Sequence, residues 1–194
     1  MKLDAKNLEN DLVRLEPLND AHKSLLEGSS AVESMWQWMP MTEGGTGFEN
    51  YFASIQKQRK PGLVVPFVVF TKPDDGFAGV SAFIHPNKTH RRVRIGYIWH
   101  PETVRSRGIF RATQLAMLTR AFDWGARRVE WIVDTRNIPA MRAVEALGAH
   151  QDGVMQEWQR LSDGSWSDVV MFSMLRSAWP RKREAIEAAL STSA

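Results

Sequence analysis

The chain has 194 residues, of which 43% are hydrophobic and 24% charged, and its formal net charge is +3. This is the composition of a globular protein with one sizeable core, and it predicts a single domain over residues 1–194. No apolar run is long enough to cross a bilayer, and the first ten residues are too polar for a secretory signal. Cysteine is absent from the sequence, which excludes disulfides, thiolate metal sites and cysteine nucleophiles and points to the cytoplasm.

The basic surplus is small and dispersed, whereas a nucleic-acid-binding protein usually carries a larger basic stripe. We therefore expect no nucleic-acid partner, no membrane partner and no metal. The tryptophan content is more informative, because eight tryptophans exceed what a core of this size needs. Some are expected to line a pocket or an interface, such as that of a homodimer.

The first half of the chain predicts short helices followed by a meander of antiparallel strands. Residues 12–15 alternate as a strand, and "PLND" supplies an N-cap for a short helix that ends near Gly28. Residues 29–47 are irregular, and a second helix is predicted over 48–58. The apolar runs "VVPFVVFT" and "FAGVSAFIH" flank the turn "KPDDG" and predict a hairpin. The strand "RVRIGYIWH" then follows.

In the second half the hydrophobic period becomes helical. Apolar residues recur at helical spacing from Leu115 to Phe122, and Gly125 is placed to end that helix. "RRVEWIVDT" is a strand, Asn137 opens a further helix that stops at Gly148, and the segments around "SDGS" form a closing hairpin. A strand–helix–strand unit makes its two strands parallel. The predicted fold is α/β (α+β), with a mixed, mostly antiparallel sheet, one central parallel pair and flanking helices.

The stretch "RSRGIF" stands between a predicted strand and a predicted helix. A helix starting at Gly108 leaves its first backbone N–H groups unpaired, and its dipole favours an anion such as phosphate. Gly108 permits a close approach, and Arg105 and Arg107 add charge. The stretch matches neither the P-loop nor the dinucleotide-binding pattern. Taken alone, the stretch fits a plain strand-to-helix loop with solvated arginines better than it fits an anion site.

Three motifs together resemble the GNAT N-acetyltransferase superfamily, and most closely its branch of ribosomal-protein N-terminal acetyltransferases (RimJ/RimL-like). They are "IGYIWHP", the loop that the family writes [QR]-x-x-G-x-[GA], and the block N-x-x-[SA]-x-x-x-x-E-x-L-G-[FA]. The block is matched by Asn137, Ala140, Glu145, Leu147, Gly148 and Ala149. The likeness extends to "LVRLEPLNDAH" and "DGSWSDVVMFSMLRSAW", and so covers nearly the whole chain.

This resemblance implies acetyl-CoA as the co-substrate, an amine as its acceptor, and a parallel pair of strands splayed in a V. The loop amides would hold the pyrophosphate and the first strand would pair with the pantetheine arm, with a backbone N–H near Ile98 or Trp99 polarising the thioester carbonyl. Asn137 would contact the cofactor or only cap its helix. The implied cofactor-binding residues are Ile98, Trp99, His100, Arg105, Ser106, Arg107, Gly108, Ile109, Phe110 and Asn137.

The chain departs from the family at several positions. Phe110 stands where Gly or Ala is preferred, so its ring either crowds the phosphates or turns into the core. Arg94 replaces a frequent Glu beside "IGY", which removes one possible base. Val144 stands where other members of the family carry a Tyr that acts as an acid, so no general acid is carried over. The candidate bases are Glu130 and His85, for which a salt bridge and a strand end are the structural alternatives.

The stretch "MWQWMP" over residues 35–40 is the expected wall of the acceptor pocket. Its candidate residues are Trp36, Trp38 and Met39, with Tyr97 from the neighbouring strand, and core packing is the alternative. The acceptor would be a peptide or protein N-terminus or a small hydrophobic amine. The alternative function is a non-catalytic GNAT-like module that binds CoA or a partner.

Overall fold

The computed structural model describes residues 3–29, 36, 38–39, 42, 44–45, 47–72, 74–104, 108–161 and 163–192. Its strands are β1 (Leu8–Glu9), β2 (Val13–Pro17), β3 (Val64–Thr71), β4 (Phe77–Asn87), β5 (Arg92–Trp99), β6 (Arg128–Asp134), β7 (His150–Arg160) and β8 (Trp166–Leu175). Its α-helices are α1 (Lys23–Ser29), α2 (Phe48–Arg59), α3 (Ile109–Trp124), α4 (Ile138–Glu145) and α5 (Trp179–Ser191).

The strands form one sheet in the order β1-β2-β3-β4-β5-β6-β8-β7. Each neighbouring pair is antiparallel except β5 and β6, which are parallel. Helix α3 connects these two strands, as a parallel crossover requires. The mixed, mostly antiparallel sheet with a central parallel pair is therefore confirmed.

Hydrophobic side chains cover both faces of the sheet. The main core joins strand residues to α3 and α5, and includes Val93, Ile95, Val129, Trp131, Phe172, Met117, Phe122 and Ile186. The second core joins the other face to α1 and α2, and includes Leu18, Leu26, Tyr51, Phe52, Ile55, Val68, Val80 and Trp99. The middle of the sheet is thus buried on both faces, which explains why "VVPFVVFT" is a continuous apolar run rather than an alternating one.

Two elements were missed by the sequence prediction. Strand β1 is only two residues long and pairs Leu8 with Leu15, which is too short for any period to show. Helix α5 begins beside Pro180, and its Trp179 ring stacks on Phe122 with centroids 5.1 Å apart. A proline in the first turn is a usual start signal and could have revealed this helix.

Candidate active site

The parallel strands β5 and β6 pair over only three registers. These join Arg92 to Arg128, Val93 to Val129 and Arg94 to Glu130. Within these two fully described strands, nothing pairs across them beyond Arg94, although both continue to Trp99 and Asp134. The strands therefore separate toward their carboxyl ends and leave a gap between them. The turns into α3 and α4 follow at this same edge.

A β-bulge lies on the β5 side of this gap. Val80 pairs with Trp99 and Ala82 with Gly96, so Tyr97 and Ile98 together face the one intervening residue of β4. Tyr97 has φ of +51°, a left-handed conformation that costs a non-glycine residue roughly 1–3 kcal/mol. The bulge sends Tyr97 to the second core and Ile98 to the main core. The bulge also interrupts the regular backbone pairing of β5 with β4 where the gap opens.

The carboxyl end of β5 is held firmly against β4. The buried His100 ring donates from Nδ1 to the carbonyl oxygen of Ala78 at 2.6 Å. Gly79 lies beside this contact with φ of +133°, and a Cβ there would be 2.1 Å from the carbonyl oxygen of Trp99. Only glycine permits so close an approach. The backbone of predicted cofactor-binding residues Trp99 and His100 is therefore rigidly placed at the mouth of the gap.

Helix α3 starts at this mouth. Its N-cap is Gly108, with φ of +69°, and no side chain caps the helix among the described residues. By helix geometry, the N–H groups of Ile109, Phe110 and Arg111 have no intrahelical acceptor. Among the described residues, the atom that a Cβ on Gly108 would meet is Cδ2 of Leu190, at 3.5 Å. Arg105, Ser106 and Arg107 lie outside the described residues.

The Phe110 ring does not crowd this turn. It packs against the main core, and its centroid lies 6.2 Å from the His100 ring in an edge-to-face arrangement. Of the two orientations considered for Phe110, the structure has the one that turns into the core. The Phe110 side chain is therefore directed into the core, and unpaired amides at a helix N-terminus are the groups that suit a coenzyme diphosphate.

Asn137 caps α4 at the same edge of the sheet. Its Oδ1 accepts from the N–H of Ala140 at 3.2 Å. The turn before it is braced by Asp134, which accepts from Ser167 Oγ at 2.5 Å and from Arg136 N at 2.8 Å. Capping is thus an observed role of Asn137, and a cofactor contact stays a prediction.

Glu130 lies at the closed end of the gap and is engaged in an ion pair. Its Oε1 accepts from Arg128 Nε at 2.7 Å, and Arg128 Nη2 donates to Asp152 Oδ2 at 2.5 Å. Ser173 Oγ donates to the other oxygen of Asp152 at 3.0 Å. The structural alternative for Glu130, a salt bridge to a nearby arginine, is therefore present.

His85 stands at the distal end of β4, in a second bulge. Its φ is +48°, and its backbone N–H donates to Leu63 O at 2.6 Å. Partial burial, followed by the positive charge of Arg94, lowers the pKa of His85 below its ordinary value of 6.5. This shift favours the neutral imidazole, which is the form that can accept a proton.

The aromatic side chains of the predicted acceptor wall meet on the α1/α2 face. Trp36 stands edge-on to Tyr51 at 5.6 Å between centroids, and Tyr51 stands edge-on to Tyr97 at 5.8 Å. The Tyr97 hydroxyl accepts from Gln58 Nε2 at 3.4 Å. Met39 is buried in the second core, and Trp38 is partly exposed. The remaining residues of "MWQWMP" lie outside the described part of the chain.

Tyr51 was missed by the sequence prediction although it joins the two predicted sides of this wall. It lies within α2 at 3% exposure, and burial raises the pKa of its hydroxyl. A tyrosine in an amphipathic helix looks like an ordinary core residue, so the sequence carried no signal for this role.

No helix in the described part of the chain is both long enough and apolar enough to cross a bilayer. No group of three or more His, Cys, Asp or Glu side chains there could hold a metal ion.

Comparison with known proteins agrees with this geometry. The family model of the GNAT acetyltransferase domain matches residues 13–150. The chain therefore belongs to the GNAT acetyltransferase family, and its class is that of N-acetyltransferase enzymes. A search of curated proteins found no match.

Solved structures share this fold over nearly the full length of the chain. A GCN5-related N-acetyltransferase from Brucella melitensis is 29% identical, with a TM-score of 0.84, covering 96% of this chain and 86% of that one. RimJ from Mycobacterium smegmatis in complex with CoA-disulfide is 19% identical, with a TM-score of 0.79 and coverage of 95% and 93%. A ribosomal-protein-S5-alanine acetyltransferase from Vibrio fischeri is 16% identical, with a TM-score of 0.71 and coverage of 90% and 98%.

Proposed function

We propose that this protein transfers the acetyl group of acetyl-CoA directly to a primary amine. The observation that carries the proposal is the gap between β5 and β6, which opens after three paired registers beside a bulge and a helix N-terminus. Acceptors of the proposed class are peptide or protein N-termini and small hydrophobic amines. A protein of the same fold, RimJ, has been solved in complex with CoA-disulfide, which supports a coenzyme as the ligand.

The residues that would hold the coenzyme line the mouth of the gap. The amides of Gly108, Ile109 and Phe110 suit the diphosphate, because they carry the positive end of the α3 dipole and Phe110 turns away. The backbone of residues 98–100 would pair with the pantetheine arm. We include Arg105, Ser106, Arg107 and Asn137 in this set by their sequence positions.

Acetyl transfer to an amine asks little of the protein beyond placement. The acceptor nitrogen bonds to the acetyl carbon, the carbon–sulfur bond breaks, and the coenzyme leaves as its thiol. Orientation of two reactants alone can supply about 7–11 kcal/mol of the barrier. A backbone N–H at Ile98 or Trp99, beside the bulge, would donate to the carbonyl oxygen.

The amine reacts in its neutral form, and it loses a further proton as it bonds to the acetyl carbon. His85 and Glu130 are our candidate acceptors for it, directly or through water. His85 is the more available of the two, because Glu130 already accepts from Arg128. Trp36 and Tyr97, with Tyr51 behind them, would exclude water from the acceptor side.

The proposal is tested by two measurements on the full chain. CoA is expected to raise the melting temperature, because a ligand that binds only the folded state stabilises it. Thiol release from acetyl-CoA is expected to depend on an added primary amine. Stabilisation by CoA without turnover on any amine of a broad panel would favour the alternative, a CoA-binding module. If CoA gives no stabilisation and no amine gives turnover, both functions are contradicted.

A further inference from the structure

Arg94 is placed where the acceptor would approach the gap. It occupies the last paired register of β5, across from Glu130 on one side and Ile84 on the other. Its neighbours Val93 and Ile95 both point into the main core. Because side chains alternate along a strand, Arg94 points to the opposite face, the one that carries α1, α2 and the aromatic wall.

Among the residues that the structure describes, Arg94 has no anionic partner. It is partly buried, and its Nε is buried without a hydrogen-bond partner. Within the described part of the chain it forms no ion pair, although Glu130 lies across the strand, because the Glu130 carboxylate is held by Arg128. Arg128 in turn has both Glu130 and Asp152.

The electrostatic surroundings do not compensate for the missing partner. Burial lowers the pKa of Arg94, Arg92 lowers it further, and Glu130 and Tyr97 oppose the shift; His85 is the other titratable group that senses its charge. A guanidinium nevertheless keeps its charge at neutral pH. A partly desolvated cation without an ion pair destabilises the folded chain, so a ligand is a natural explanation for it.

We propose that Arg94 is a specificity-determining residue that binds a carboxylate of the acceptor, an inference that rests on the proposed acetyl transfer. The guanidinium fork matches a planar carboxylate in a bidentate pair. Arg94 lies five positions before Trp99, roughly 15 Å along the strand, so it is too far from the start of α3 to bind the same diphosphate. Together with the aromatic wall, it selects an amine that carries both an apolar group and a carboxylate.

Such an acceptor has two sources, a free amino acid with an apolar side chain or a peptide whose first residue is acidic. Two matched pairs of probes distinguish them: phenylalanine against phenylalaninamide, and Asp-Phe-amide against Asn-Phe-amide. Binding of each probe to the CoA-saturated protein is measured by calorimetry, which needs no turnover. Failure of CoA itself to bind would refute the proposed function rather than this inference.

The wild-type protein is expected to bind the charged member of one pair at least about 30-fold more tightly than the neutral member, and Arg94→Gln to abolish that difference. The neighbouring Arg92→Gln is the matched control, since Arg92 is exposed, and it should keep the preference. Two results would overturn the proposal. Arg94→Gln could lose affinity equally for the charged and the neutral probes, or the wild-type protein could bind neither charged probe.

Melting temperatures distinguish a binding role of Arg94 from a purely structural one. Removing an unpaired, partly buried charge should leave the melting temperature of Arg94→Met unchanged or higher. A lower melting temperature in Arg94→Met and Arg94→Gln alike would show that Arg94 serves the fold, and would contradict a binding role.

Discussion

Arg94 lies directly across the parallel pair from Glu130, yet the two form no ion pair, because the Glu130 carboxylate accepts from Arg128 at 2.7 Å. This register is also the last at which β5 and β6 pair. At the closed end of the gap, the Glu130 carboxylate has an ion-pair partner, whereas the Arg94 guanidinium has none among the described residues. In our account, the choice of acceptor depends on this arrangement.

The start of α3 provides the first test of the coenzyme site. We predict that Gly108→Trp abolishes CoA binding while the fold persists, because a large side chain would occupy the phosphate approach. Any L-residue at φ of +69° also costs about 1–2 kcal/mol. Calorimetry with CoA and a thermal melt measure the two effects separately.

The control for this variant lies at the other end of the same helix. Gly125 caps α3 with φ of +103°, so Gly125→Ala introduces comparable backbone strain away from the gap. It should lower the melting temperature and leave the CoA affinity intact. Unchanged CoA affinity in Gly108→Trp would refute the placement of the diphosphate.

The contact between β4 and the end of β5 gives a prediction for stability. Gly79→Ala would place a Cβ 2.1 Å from the carbonyl oxygen of Trp99, where backbone must move. Overpacking and the positive φ together are expected to cost about 2–5 kcal/mol in the free energy of unfolding by urea. Gly153→Ala in β7 is the control, since no described atom lies within 4 Å of its added Cβ. A loss below about 1 kcal/mol in Gly79→Ala would show that this contact is not tight.

The role proposed for His85 predicts how kcat/KM depends on pH. With an acceptor whose own pKa is well above neutrality, the logarithm of kcat/KM should rise with a slope of about one over the neutral range. Below the lowered pKa of His85 its imidazole is protonated and cannot accept a proton, so the slope should steepen to about two.

In His85→Gln the slope should stay near one throughout, with kcat/KM reduced about 100-fold. Glu130→Gln is the companion variant. If it removes the steepening and His85→Gln does not, the proton acceptor is Glu130 and our ordering of the two candidates is wrong.

Asp134 links stability to pH at the edge that carries α4. Burial alone would raise the pKa of Asp134, but hydrogen bonds from Arg136 and Ser167 outweigh it and hold the pKa below its ordinary value of 3.8. A carboxylate with a depressed pKa stabilises the fold above that value and loses this contribution as pH falls through its folded-state pKa.

Asp134→Asn should therefore lower the free energy of unfolding by about 1–3 kcal/mol at pH 7, and the difference from wild type should shrink below pH 3.8. Urea unfolding over pH 7 to 3 measures both effects, with the exposed Asp123→Asn as the control. A deficit that persists undiminished in acid would show that the carboxylate charge is not its source.

Much of this architecture was predictable because its signals are local. The turn "KPDDG", the helical spacing from Leu115 to Phe122 and the Asn137 cap each specify their element within a few residues, and the order of elements then requires the parallel pair. The motif block from Asn137 to Ala149 placed the chain in its family.

The details of the site depend on long-range geometry that no local pattern reveals. The bulge at Tyr97 arises from pairing with β4, and the core-facing ring of Phe110 depends on packing against His100. The isolation of Arg94 results from the competition of Arg128 for Glu130. The sequence alone indicates only that Arg94 replaces a glutamate that is frequent in the family.

The most direct test of the account is a crystal structure of the protein with CoA. We predict the pantetheine arm between β5 and β6, alongside the backbone of Ile98, with the diphosphate on the amides of Gly108, Ile109 and Phe110. A coenzyme bound elsewhere, or a turn at Gly108 filled by the Phe110 ring with no diphosphate, would contradict it.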